Sequence, residues 1–173
     1  AALLDQNTLA PNKLLDYVDA KIKQLLRDES RGVTSEDGMD IAMCLYDKDT
    51  RQLTFSGAQR PFWLLRGGEF QETKGDRYPI GGSIAHTQPH NFEAHEIQLQ
   101  AGDMFYIGSD GLVDQFGGPK GRKLGARRLQ ETILEVQEKP MKEQQARIEQ
   151  LFDEWRGEHE QVDDLLLYGV RVS

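Results

Sequence analysis

Cysteine is almost absent: Cys44 is the single one among 173 residues. No internal disulfide can form, so a disulfide-stapled fold is excluded and a reducing, cytoplasmic setting is the natural expectation. Long apolar runs are missing as well. The strongest, such as Ile41 to Tyr46, falls far short of the ~20 residues that a membrane helix needs. No basic-then-apolar leader opens the chain, and neither a secretory signal nor membrane contact by this segment is expected. An excess of positive charge is lacking too. Lys and Arg number 21 against 29 Asp and Glu, for a net charge of −8. That balance argues against sequence-independent nucleic-acid binding.

What remains is an ordinary globular composition, 38% hydrophobic and 29% charged, at a length suited to one domain with its own core. Cys44 stands between Met43 and Leu45 and reads as a small buried side chain. Cysteine-based phosphate chemistry would want an arginine six positions on, and Thr50 is there instead.

Acidic residues at strand ends carry the most information. Met104-Phe105-Tyr106-Ile107 is apolar and stops at Gly108, after which Ser109-Asp110-Gly111 reads as a tight turn. Asp163 and Asp164 directly precede the apolar run Leu165 to Val170. Carboxylates held at sheet ends suit hard divalent cations, which prefer oxygen ligands. They also suit plain turn-shaping, since Asp-Gly is a common turn pair. Both readings stand on spacing alone.

The helical period of Leu14, Leu15, Val18, Ile22, Leu25 and Leu26, with Pro11 in the first turn, predicts a helix over 11–27. Residues 28–38 read as a loop. Strands are predicted over 40–46 and 52–56, with a second hairpin of 61–66 and 69–73 around Gly67-Gly68. Residues 74–89 read as irregular, and 92–99 and 103–107 as strands flanking an Ala101-Gly102 turn. Helices over 126–137 and 141–156 follow, the second stopping at Gly157, and a strand over 165–172 closes the chain. Helix, antiparallel strands, two helices, strand is an α+β order without βαβ alternation.

These motifs fall in a familiar series. Asp37-Gly38-Met39, Ser56-Gly57-Ala58-Gln59-Arg60-Pro61, Tyr78-Pro79-Ile80-Gly81-Gly82, Ala101-Gly102-Asp103, Gly108-Ser109-Asp110-Gly111-Leu112, Leu124-Gly125 and Val162-Asp163-Asp164 occur in that order. Together they resemble the catalytic domain of bacterial SpoIIE-type phosphatases, within the metal-dependent PPM family of serine/threonine protein phosphatases. The resemblance implies an antiparallel β-sandwich flanked by helices, with a two-ion Mn²⁺ or Mg²⁺ site at one end. Residue by residue, it makes Asp110 and Asp163 metal-binding and catalytic, with Asp164 in the second place of the terminal motif. It implies a phosphorylated regulatory protein, such as a STAS-domain anti-sigma-factor antagonist, as substrate. Members of the family carry a further metal-binding aspartate in a Gly-Asp-x-x-Gly-His-Gly type motif, which residues 1–173 lack. The chain is therefore expected to form a single domain incomplete at its N-terminus, where a membrane sensor could also be tethered. Exposed apolar surface, open strand edges and association into a homodimer are expected with it. The rival class is a phosphatase-like interaction module that binds the same partner without turnover.

Three other features lie outside this series. Pro89 breaks any helix that would bring His86 and His90 to one face, so with His95 they read as ordinary loop and strand histidines rather than zinc ligands. Lys120, Arg122, Lys123, Arg127 and Arg128 form a basic run without an acid. It is either a solvated face or a rim, with Lys120, Arg127 and Arg128 foremost, that draws in an anionic substrate. The glycines at 117, 118 and 121 do not complete a phosphate-binding Gly-Lys-Ser/Thr loop.

Overall fold

The structure, a computed structural model, describes residues 10–26, 38–81 and 91–173. The loop expected over 28–37, and His86 and His90, lie outside the described residues. The fold is α+β with antiparallel sheets. The chain divides into two compact units, residues 1–62 with 72–100, and 63–71 with 101–173.

In the first unit, β1 (Ile41–Asp47), β2 (Gln52–Ala58) and β5 (His95–Gln98) form a three-stranded sheet in the order β1-β2-β5. Asp47 closes the β1–β2 turn by accepting the amide N–H groups of Asp49 and Thr50, a use of Asp that makes this turn cheap to form. Helix α1 (Pro11–Leu26) buries Leu15 against Ala58, Ile80 and Phe92, with Val18 and Ile22 alongside. Its period is the one expected, but Leu25 is 75% exposed and falls off the buried stripe. The helix is fastened by two acids. Asp16 accepts the Phe92 N–H at 2.8 Å, and Asp19 accepts the Gly81 N–H at 3.0 Å. Cys44 lies in β1, where burial pushes its thiol up to about 12, so it supplies no thiolate at neutral pH. His95 stacks on Phe55 at 5.9 Å between ring centroids, an ordinary strand histidine.

The second sheet, centred on the second unit, has β3 (Phe62–Arg66), β4 (Glu69–Thr73), β6 (Met104–Gly108) and β9 (Leu167–Arg171) in the order β4-β3-β6-β9. Gly67 and Gly68 both have positive φ, as the tight β3–β4 turn requires. Strand β6 is central: Tyr106 pairs with Trp63 on one side and Gly169 on the other. Helices α3 (Ala126–Val136) and α4 (Met141–Arg156) bring Leu129, Ile133, Leu151 and Phe152 into one core with Trp63, Leu65, Met104 and Tyr106. Burying each such side chain contributes roughly 1.5–3 kcal/mol.

Four features differ from expectation. Strands β5 and β6 belong to different sheets, so Ala101-Gly102 does not close a hairpin between them. A four-residue helix α2 (Gly111–Asp114) and a small hairpin of β7 (Phe116–Gly117) and β8 (Arg122–Lys123) follow β6. Both are too short for a periodic signal. Last, β9 begins at Leu167 rather than at Leu165. Strand β6 ends at Gly108, so the chain before Leu167 has no β6 residue left to pair with, and Leu166 is 62% exposed.

A polar network fastens the α3–α4 connection to the sheet. The Tyr106 hydroxyl donates to Gln144 Oε1 at 2.9 Å, and Gln144 Nε2 donates to the carbonyls of Gln137 and Lys139. Arg171 donates to the same two carbonyls. Burial pushes the Tyr106 hydroxyl up to about 12. Tyrosine in the unfolded chain ionises near 10, so above that pH the unfolded state releases a proton that the folded state keeps. Stability should therefore fall as pH rises from about 10 to 12. Urea unfolding across that range checks this, and Tyr106→Phe should flatten the fall.

Candidate metal centre

Two loops of the second unit meet where the sequence places its carboxylates. The first is the turn out of β6. Asp110 occupies the N-cap position of α2, yet its carboxylate makes no capping hydrogen bond to the helix. The turn is closed through the backbone instead, by the Asp114 N–H on the Asp110 carbonyl at 2.8 Å. The Asp110 side chain is thus not spent on the helix end that its position would allow it to cap.

The second loop, Asp163-Asp164-Leu165-Leu166, lies against this turn backbone to backbone. A Cβ on Gly108 would come within 2.3 Å of the Leu166 carbonyl oxygen. One on Gly111 would come within 2.4 Å of the Asp164 carbonyl oxygen and 3.3 Å of Asp163 Cβ. Such distances leave no room for a side chain, so the glycines flanking Ser109-Asp110 are what let the two loops touch. The Ser109 N–H donates to the Leu166 carbonyl at 2.9 Å. Asp163 Oδ1 accepts the N–H of Asp164 at 2.7 Å, and Gln161 Nε2 holds the Asp163 carbonyl at 2.8 Å. Asp163 and Asp164 are exposed and Asp110 is half-buried, so solvent ions can reach all three.

The donor chemistry fits a hard divalent cation, and the two acid-bearing loops abut. Among the described residues, however, no three acidic, histidine or cysteine side chains group closely enough to hold a metal ion. The two loops meet, but Asp110, Asp163 and Asp164 do not form such a group. No further ligand joins them among the described residues.

The basic run is placed differently from a simple rim. Arg128 stacks over the Trp155 ring, 3.9 Å from its centroid. The Trp155 indole N–H points at the carbonyls of Gln115 and Arg122, and its own carbonyl accepts the Gly118 N–H at 2.7 Å. Arg128 therefore helps fasten the β7–β8 hairpin to the end of α4. Arg127 pairs with Glu131, and Lys123 with Asp114, both at the surface. Lys120 is exposed at the hairpin turn. Gln115, fully buried, donates to the Glu160 carbonyl at 2.9 Å and so ties the chain after α2 to the stretch leading into Asp163. Trp155 is legible as part of the apolar stripe of Ile148, Leu151 and Phe152, but Gln115 carries no signal in the sequence, because its Glu160 carbonyl partner is distant in the chain.

The α+β fold with antiparallel sheets and several helices matches PP2C phosphatase domains. The sequence profile of the Stage II sporulation protein E (SpoIIE) family matches residues 1–173, and the chain belongs to that family. Among solved structures, it is similar to the SiaA-PP2C domain of Pseudomonas aeruginosa. The identity is 29% and the TM-score 0.82, over 99% of this chain and 65% of that one. The phosphatase domain of the cell fate determinant SpoIIE from Bacillus subtilis shares the fold at 17% identity and a TM-score of 0.57, over 92% of this chain and 72% of that one. So does the catalytic domain of the serine/threonine protein phosphatase PstP in complex with two manganese ions, at 18% identity and 0.55, over 83% of this chain and 64% of that one. The chain thus spans about two thirds of the length of these relatives. Comparison with curated proteins gave no match. No helix among the described residues is long and apolar enough to cross a membrane.

Proposed function

We propose that the protein is a Mn²⁺- or Mg²⁺-dependent phosphatase acting on phosphoserine or phosphothreonine of a regulatory protein, such as a STAS-domain anti-sigma-factor antagonist. The observation that carries this reading is the meeting of the Asp110 turn with the Asp163-Asp164 loop, 53 positions away in sequence. Asp110 and Asp163, with Asp164 beside them, are anionic oxygen ligands at solvent-accessible loop ends. A bound pair of divalent ions would supply an acidified water and offset charge on the phosphoryl oxygens. The protein then needs no nucleophile of its own, in keeping with the Cys44 thiol pushed up to about 12. Lys120 and Arg127, exposed on the same unit, would draw an anionic partner toward it, and Arg128, through Trp155, would keep the hairpin that carries Lys120 in place.

A second reading, a binding module that holds the same partner without turnover, is favoured by one observation: among the described residues no three acidic, histidine or cysteine side chains group closely enough to hold a metal ion. Self-association is proposed on other grounds. Strand β9 is an edge strand among the described residues, and its Tyr168, like Val162 and Leu166 ahead of it, is more than half exposed.

The two readings separate in one assay. The intact protein, given Mn²⁺ and a phosphoserine-bearing STAS domain, should release inorganic phosphate over many turnovers, and chelation of the metal should stop it. Stoichiometric complex formation with no phosphate released at any Mn²⁺ concentration would select the binding module.

A further inference from the structure

We infer that Ser109 is a positioning residue, whose hydroxyl sets the spacing between the Asp110 turn and the Asp163-Asp164 loop. Its Oγ donates to the Asp164 carbonyl at 2.8 Å and accepts the Leu166 N–H at 3.0 Å. One side-chain atom thus engages two backbone groups on either side of Leu165, within the donor and acceptor capacity of a single hydroxyl. The inference rests on the metal-site reading above.

The place of this bond in the ladder explains its use. Strands β6 and β9 pair regularly up to Gly108 and Leu167. One further backbone bond, from the Ser109 N–H to the Leu166 carbonyl, extends the pairing. Beyond it the chain turns into α2, and its backbone can no longer follow the loop that carries Asp163 and Asp164. The Ser109 side chain takes over there and stands in for the next rung. Asp110 is its immediate neighbour on one side of the junction. Asp164, whose carbonyl it holds, is its partner on the other. Two ligand-bearing loops with no regular pairing between them would otherwise wander relative to each other, and a metal ion would have to order them on binding. Gly108 and Gly111 permit the approach; the Ser109 hydroxyl fixes its register. Outer hydrogen-bond partners of this kind typically change metal affinity by roughly 10–100-fold when lost.

The test uses the intact protein, with Mn²⁺ alone as the probe. Ser109→Ala should raise the Mn²⁺ dissociation constant by roughly 10-fold or more. It should also speed hydrogen exchange of the peptide containing the Leu166 amide, with far-UV circular dichroism unchanged. Ser109→Thr, which keeps the hydroxyl, should restore both. Parent-like Mn²⁺ affinity in Ser109→Ala, or unchanged exchange of that peptide, would overturn the inference. Asp110→Asn, measured in parallel, isolates the underlying reading. If it binds Mn²⁺ as tightly as the parent, the metal site itself is elsewhere and this inference goes with it. If only Asp110→Asn weakens binding, the site stands and the role of Ser109 does not.

Discussion

Asp110→Asn and Asp163→Asn should each slow phosphate release by the intact protein by orders of magnitude while leaving its fold intact. Each change keeps the side-chain shape and removes one anionic oxygen from a site that would hold two divalent cations. The loss of Mn²⁺ affinity should exceed the roughly 10–100-fold that follows removal of a ligand's outer hydrogen-bond partner, because here the ligand itself is changed. Since a bound ion would supply the acidified water, added Mn²⁺ should rescue turnover only partly. Capture of the phosphorylated partner should persist, since Lys120 and Arg127 are untouched. Full activity of both variants across a Mn²⁺ titration would remove these carboxylates from the chemistry.

Gly111→Ala should act on both stability and the site. The added methyl would stand 2.4 Å from the Asp164 carbonyl oxygen, a backbone atom that no rotamer change can move aside. Gly111 lies in the first turn of α2, so the cost is the contact and not the backbone conformation. Overpacking of this kind costs about 1–3 kcal/mol, and relief requires the Asp163-Asp164 loop to move away from the Asp110 turn. Urea unfolding should show that loss. Mn²⁺ affinity should fall with it, more steeply than in any variant of equal stability altered in the α3–α4 core. A variant that lost stability but kept parent Mn²⁺ affinity would show that the two loops need not touch.

Much of this arrangement is legible in the sequence because it is local. The stripe of Leu15, Val18 and Ile22 announces α1, Gly67-Gly68 announces the β3–β4 turn, and the stop of an apolar run at Gly108 announces the end of β6. The order of short motifs, ending in Val162-Asp163-Asp164, carries the family. What escapes is long-range. Nothing near Ala101-Gly102 says that the strands on either side join different sheets. The apolar Leu165 and Leu166 look like strand, but they lie past the end of β6 and stay exposed. Arg128 looks like part of a free basic face because Trp155, on which it stacks, is 27 positions away. Ser109 looks like a turn residue, and only its two bonds across to Asp164 and Leu166 distinguish it from any other serine.

The most direct measurement is anomalous diffraction at the manganese edge from crystals of the intact protein soaked in Mn²⁺. The account predicts two peaks about 3.5–4 Å apart, ligated by the carboxylates of Asp110 and Asp163. Peaks placed elsewhere, with the Asp110 and Asp163 carboxylates unligated, would contradict it.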